Sequence, residues 1–243
     1  MEKIVPIIDI PYGKIAERVI VCGDPKRAER IAEKLEDAEV VAKSREYWTY
    51  NGTYKGVPVS VASHGVGGNG ASVCFEGLIL GGAKTIIRVG TCGTLPDDIP
   101  QSSLIIGTAA CREDGITQQF IPLSYPAVAS LDVVNAMIRT AAEIRPDTRA
   151  GIITTSGLFY KGLLETNNKV YREAGVLAME NEASVLFTIA SVRGIKAGCI
   201  VVADGPCFEF VGSEEFDHYP EKMKESQKDA IRIALESIIK VES

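Results

Sequence analysis

The chain of 243 residues is 46% hydrophobic and 24% charged, a balance that fits one large globular domain over 1–243 better than two small ones. A formal net charge of -6 argues against a general nucleic-acid or membrane-surface role, and no apolar run reaches the length of a membrane span. The polar start Met1-Glu2-Lys3 is no signal peptide and the six cysteines hold no Cys-x-x-Cys pair, so reduced, mostly buried thiols in a cytoplasmic protein are expected.

Val19-Ile20-Val21-Cys22 reads as a buried strand that Gly23-Asp24-Pro25 turns into a helix. Asp24 is a good N-cap, Pro25 suits the first helical position, and Ala28, Ile31, Ala32 and Leu35 form the apolar face. Lys26 and Arg27 then crowd two cations at the positive end of the helix dipole. An anion held there resolves the conflict, and two solvated side chains are the plainer account. Residues 44–54 begin with Arg45 and Glu46 and alternate aromatic and polar residues up to an Asn51-Gly52 turn. With the apolar run 57–63 they predict a hairpin or meander. His64-Gly65-Val66-Gly67-Gly68-Asn69-Gly70 follows, then a helix over 71–80. Gly65-x-Gly67-x-x-Gly70 matches a dinucleotide-binding fingerprint, yet the acidic residue expected about 20 positions on is missing. These glycines therefore predict a tight, ligand-facing loop and no nicotinamide cofactor.

Thr85-Ile86-Ile87 predicts a short strand, buried on both faces, that ends on Arg88. A buried guanidinium requires an anionic partner, and Gly90, Thr91 and Gly93 let the backbone approach a ligand and supply a hydroxyl. A core arginine paired with a structural carboxylate is the alternative. Residues 104–110 form another buried strand, and Arg112-Glu113-Asp114-Gly115 begins a loop to 129. Ser130 then caps a helix carrying Val134, Met137, Ile138 and Ala141 on one face. The strand 151–155 leads to Leu158-Phe159-Tyr160, an aromatic wall. Glu180-Asn181-Glu182 opens a helix over 183–192 that is apolar nearly all round and hence central. Ile200-Val201-Val202-Ala203 ends on Asp204-Gly205-Pro206, an ordinary turn sequence that also places an acid where a proton donor would sit. An amphipathic helix through Ala230, Ile231, Ala234, Leu235, Ile238 and Val241 closes the chain.

Several of these stretches carry a resemblance. Gly23-Asp24-Pro25-x-Arg27, Ser44-Arg45-Glu46-Tyr47, Ser63-His64-Gly65-Val66-Gly67, Ile87-Arg88-Val89-Gly90-Thr91-Cys92-Gly93 and Glu180-Asn181-Glu182-Ala183 resemble, in order and rough spacing, the nucleoside phosphorylase-I family. The likeness spans nearly the whole chain and is greatest to the hexameric purine nucleoside phosphorylases. It implies a three-layer α/β/α domain around a mixed, partly barrel-like sheet, built as a homodimer unit within a homohexamer. It implies a nucleoside and inorganic phosphate as substrates and no cofactor. By the same resemblance Gly23, Arg27, Arg88 and Thr91 bind phosphate, with Arg45 donated by the neighbouring subunit. Glu182, with Asn181 and Thr91, faces the ribose; Phe159, Tyr160 and Phe210 line the base; Asp204 protonates purine N7.

The chain departs from the family at three places. Ile7 stands where a histidine usually reaches the neighbour's 5′-hydroxyl, and Glu-Met-Glu has become Glu180-Asn181-Glu182. Uridine-specific members carry Gln-x-Arg after the Phe-Tyr pair, where this chain has Leu163-Leu164-Glu165. Phosphorolysis of purine nucleosides is the expected activity. Uridine phosphorylase and 5′-methylthioadenosine phosphorylase are the nearest alternatives, and a non-catalytic nucleoside- or phosphate-binding protein is the alternative of another class. With two histidines in the chain, no histidine-rich metal site is expected.

Overall fold

The computed structural model describes residues 3–160, 162–207 and 221–242. β1 (Arg18–Cys22) lies between two parallel neighbours, β4 (Val57–Ser63) and β5 (Thr85–Thr94). Strands covered on both faces keep no solvent side, so they read as continuous apolar runs. Beyond β4 the sheet continues antiparallel through β3 (Tyr47–Tyr54) to the edge strand β2 (Glu36–Ser44). On the other side β5 pairs with β10 (Lys196–Pro206) and β10 with β6 (Leu104–Glu113). β6 pairs with β8 (Arg149–Ser156), β8 with β9 (Ala178–Glu180), and β9 returns to β5. That ring closes one half of the mixed sheet into the partial barrel that the resemblance implied. The two-residue β7 (Ala127–Val128) pairs with β6.

Helices cover the sheet in two layers. α3 (Leu131–Ile144) and α6 (Glu221–Ile238) pack on each other and on β10. α2 (Gly68–Gly81) packs on α5 (Ala183–Arg193), which lies against β6, β8 and β10. Every residue of α5 from Ala183 to Ala190 is buried, as its apolar circumference predicted. α1 (Pro25–Ala32) covers β3 and β4, and its N-cap Asp24 accepts from the N–H groups of Lys26 (2.9 Å) and Arg27 (3.1 Å). The short α4 (Asn168–Glu173) precedes β9. Among the described residues no helix is long and apolar enough to cross a membrane.

Local details differ from the sequence reading. Asn51-Gly52 is not a turn: these residues pair with Ser60 and Val59 inside the β3–β4 ladder. The chain reverses at Lys55-Gly56, whose φ values of 51° and 76° give the left-handed pair that matches strand twist in a two-residue hairpin. β2 was hidden by its charged start, Glu36-Asp37-Ala38-Glu39, which an edge strand tolerates. Arg88 does not end its strand, because β10 keeps pairing with β5 as far as Thr94 and Pro206. Asp204 sits in a β10 bulge between Ala203 and Gly205, not in a turn. Ser130 occupies the N-cap position of α3 without capping it; its Oγ accepts from the Ala197 N–H at 2.9 Å and ties the helix to β10.

Candidate active site

β4, β1, β5 and β10 run parallel, so their carboxyl ends open on one edge of the sheet, where open α/β sheets bind ligands. Those ends deliver His64 and Gly65, Gly23, Thr91 and Asp204. β9 runs antiparallel to β5 and brings Glu180, Asn181 and Glu182 back to the same edge, beside the exit of β8 that leads to Phe159 and Tyr160. A cleft of about 1450 Å³ lies there. Gly23, Arg27, Arg88, Thr91 and Asp204 line it, and so do Phe159, Tyr160, Asn181 and Glu182.

Three side chains hold Arg88 in the cleft. Its Nε donates to Glu180 Oε2 (3.1 Å), and Nη2 reaches Glu180 Oε2 (3.1 Å) and Glu182 Oε2 (2.5 Å). Nη1 lies 3.2 Å from His64 Nε2. The His64 Nδ1 is 2.8 Å from the Gly65 carbonyl, which only accepts, so Nδ1 bears the proton and Nε2 accepts from Arg88. Burial opposes the Arg88 charge, but Glu182 and Glu180 outweigh it and raise its pKa. Burial and the nearby Arg88 both lower the His64 pKa well below the usual value, so the ring is neutral. Gly90 makes this arrangement possible, because a Cβ there would lie 2.7–2.9 Å from the Arg88 guanidinium. Nε and Nη1 are hydrogen-bonded, Nη2 lies within ion-pair distance of both carboxylates, and Arg88 also lines the cleft. The sequence alternatives for Arg88 thus merge: it is paired with core carboxylates and lines a ligand cleft.

Glu180 was read only as a helix-start carboxylate, and the structure makes it the anchor of the site. It accepts from Thr155 Oγ1 (2.6 Å), the Glu182 N–H (2.8 Å), the Ala183 N–H and Arg88. Glu182 follows as the N-cap of α5, and its Oε1 accepts from the Gly67 N–H at 2.6 Å. The glycine loop is thereby clasped to the carboxylate pair. Asn181 donates to the carbonyls of Ser156 (2.8 Å) and Leu158 (3.4 Å), and so fixes the loop that carries Phe159 and Tyr160. Those rings meet edge to face with centroids 5.1 Å apart.

Among the described residues, two buried polar atoms in the cleft have no hydrogen-bond partner: Arg27 Nε and Asp204 Oδ1. Unsatisfied groups of this kind are costly and usually await a ligand or water. Arg27 stands in the first turn of α1, and Gly23 just before it packs under Gly65, whose carbonyl would lie 3.0 Å from a Cβ at Gly23. A helix N-terminus, close-set backbone and two arginines make this end of the cleft suited to an anion. Burial raises the Asp204 carboxyl to about 7, so near neutral pH much of it keeps its proton. Among the described residues no cluster of histidine, cysteine and carboxylate groups is arranged to hold a metal ion.

One site residue from the sequence is not brought into this cleft, and another, Phe210, lies outside the described residues. Arg45 is exposed at the β2–β3 turn, in a left-handed conformation with φ 51°, and is absent from the cleft lining. Its neighbour Ser44 donates to the carbonyl of Ile7 at 2.8 Å, so the two positions that the resemblance assigns to a neighbour's site sit side by side. The sequence singled out His64 only as a motif letter; a histidine next to a glycine-rich turn at the end of a buried strand was the signal for its role.

The chain is similar to known proteins over nearly its whole length. The family model described as "Phosphorylase superfamily" matches residues 17–240. The chain is 32% identical over 237 residues to a guanosine phosphorylase of Halorubrum lacusprofundi, covering 96% of this chain and 97% of that one. It is 35% identical over 240 residues to a uridine phosphorylase of Thermococcus kodakarensis, covering 93% and 82%. Among solved structures, the purine nucleoside phosphorylase from Toxoplasma gondii in complex with immucillin-H superposes with a TM-score of 0.91 at 30% identity, covering 98% of this chain and 96% of that one. The chain therefore belongs to the phosphorylase superfamily, as an enzyme of the nucleoside phosphorylase group, pentosyltransferases that take a nucleoside and phosphate.

Proposed function

We propose that the enzyme phosphorolyses purine nucleosides, releasing the free base and the pentose 1-phosphate. The observation that carries this reading is Asp204: a cleft carboxylic acid with a pKa of about 7 and an unpartnered Oδ1. A purine offers N7 as a basic atom to protonate, and a uracil ring has no equivalent. Phosphate is held by Gly23, Arg27, Thr91 and Arg88, with Arg45 of the neighbouring subunit completing the set. An oxygen of that phosphate attacks C1′ as the C1′–N9 bond breaks and its electron pair passes to the base. The Asp204 proton goes to N7. Positioning and charge stabilisation by the arginines supply most of the acceleration, and general acid catalysis adds about 10²–10⁴-fold.

Glu182 accepts from the ribose hydroxyls, with Asn181 beside it, and Phe159 and Tyr160 cover the base together with Phe210. Leu163, Leu164 and Glu165 line the cleft where uridine-specific relatives carry a Gln-x-Arg reader, which supports the purine reading. Two copies form the functional unit, assembled as a homohexamer in the cytoplasm and serving purine salvage. The deciding experiment is a phosphate-dependence assay on inosine, guanosine, adenosine, uridine and 5′-methylthioadenosine. Phosphate-dependent release of hypoxanthine or guanine is expected. Turnover confined to uridine would overturn the purine assignment, and turnover confined to methylthioadenosine would transfer it to the thionucleoside, for which an apolar Ile7 is suited.

A further inference from the structure

The first residue of α4, in the lining of the cleft, is a buried amide in poor company. Asn168 is 9% exposed and lines the cleft. Its Nδ2 lies 3.3 Å from Cys207 Sγ and 3.6 Å from Met179 Sδ, both weak acceptors. The surrounding cluster is Leu95, Val176 and Cys207, backed by Cys111, Tyr171 and Met179. A primary amide in such surroundings costs free energy unless both of its ends are hydrogen-bonded. Here Nδ2 meets only sulfur, and Oδ1 has no hydrogen-bond partner among the described residues but is not sealed from solvent, so it is open to the cleft that Asn168 lines. Exchanging the amide oxygen and nitrogen does not remove the difficulty, because one end faces the two sulfurs in either orientation.

The place of this amide matters. Cys207 follows Asp204 by three residues, just past the bulged end of β10, and it packs on Gly93, where an added Cβ would lie 3.1 Å from Cys207 Cα. The amide therefore stands on the same wall as the proposed proton donor. Gly93, Met179 and Cys207 line the cleft beside it. Under the purine reading on which this inference rests, Asp204 meets N7. The next polar groups along that edge of the base are the C6 substituent and N1. The geometry points to Asn168 as the residue that reads the C6–N1 edge of the purine. It takes over the task for which this chain has no glutamine–arginine pair, and it sets a preference for purines bearing a hydrogen-bonding group at C6.

The test compares kcat/KM for inosine with that for purine riboside, which carries nothing at C6, in the wild-type enzyme and in Asn168→Leu. Leucine is close in size to asparagine and suits the apolar and sulfur surroundings. The inosine value should fall about 10- to 100-fold while the purine riboside value stays within about twofold. Thermal unfolding of the same variant should show a midpoint equal to or above that of the wild type. Equal losses on both substrates would assign Asn168 a purely structural role and overturn the proposal, and so would no loss on either. If the wild-type enzyme turns over uridine and neither purine nucleoside, the purine reading falls and this assignment falls with it. If inosine is a good substrate and the variant shows no selective loss, only the Asn168 assignment fails.

Discussion

Burial holds Asp204 and His64 in their neutral forms, and it moves their pKa values in opposite directions. For Asp204 the folded value is about 7 against an ordinary 3.8, so the folded state binds the extra proton between those limits. Stability from this group is full below about pH 4, falls as pH rises, and is lost above about 7. Asp204→Asn should therefore raise the unfolding midpoint at pH 8 and leave it unchanged near pH 4, as calorimetry at the two pH values would show. The same variant should lose about 10²–10⁴-fold in inosine turnover, and unchanged turnover would exclude a proton-donor role. His64 runs the other way: the unfolded chain takes up a proton below about pH 6.5 and the folded one does not, so its contribution declines as pH falls through that range. His64→Asn keeps a donor for the Gly65 carbonyl and removes the acceptor for Arg88. His64→Gln places a carbonyl near the lost Nε2. The phosphate KM should rise about tenfold in the asparagine variant and less in the glutamine variant. Equal effects would mean that the Arg88 contact does not matter.

At the scale of elements, β5 carries the site because it is long and glycine-bearing. Arg88 is level with Val21 of β1 and Cys199 of β10, deep in the sheet, and its guanidinium folds back over Gly90 toward the cleft. Gly90→Ala should leave the fold largely intact and displace that guanidinium. Phosphate-dependent kcat/KM should fall at least about 100-fold, because a misplacement near 1 Å can cost that much. A variant with near-wild-type phosphate kinetics would show that the guanidinium tolerates the methyl group. The sequence showed this strand, the helix-opening carboxylates and the Asp24 cap, because their residue types are dictated locally. It did not show the β10 bulge that presents Asp204, since Asp-Gly-Pro fits a turn equally well. Which reading holds depends on how far β5 and β10 stay paired.

At the scale of the whole molecule, Arg45 and Ile7 sit together on the outside of the chain while Arg27 and Arg88 line the cleft. If one copy supplies Arg45 to its neighbour's cleft, Arg45→Ala and Arg88→Ala are each inactive alone and complement when mixed. Random exchange makes half of the dimers mixed with one intact site each, so activity should return to roughly a quarter of normal. Native mass spectrometry of a labelled partner checks that subunits exchange. Confirmed exchange without recovered activity would place both arginines in the same copy's site.

The sequence by itself determined the buried parallel strands, the α1 cap, the central apolar helix and the family, because these depend on residue type, period and short motifs. Only the tertiary structure decided that Glu180 and a neutral His64 hold Arg88. It alone left Arg27 Nε and Asp204 Oδ1 without a partner among the described residues and set the Asn168 amide beside the sulfurs of Met179 and Cys207, all in one cleft. The physical reason is that these facts depend on which strands pair, in what register, and on the burial that pairing produces. Residues 92 and 115 positions apart in the chain, such as Arg88 with Glu180 and Gly67 with Glu182, become hydrogen-bond partners only once the barrel has closed.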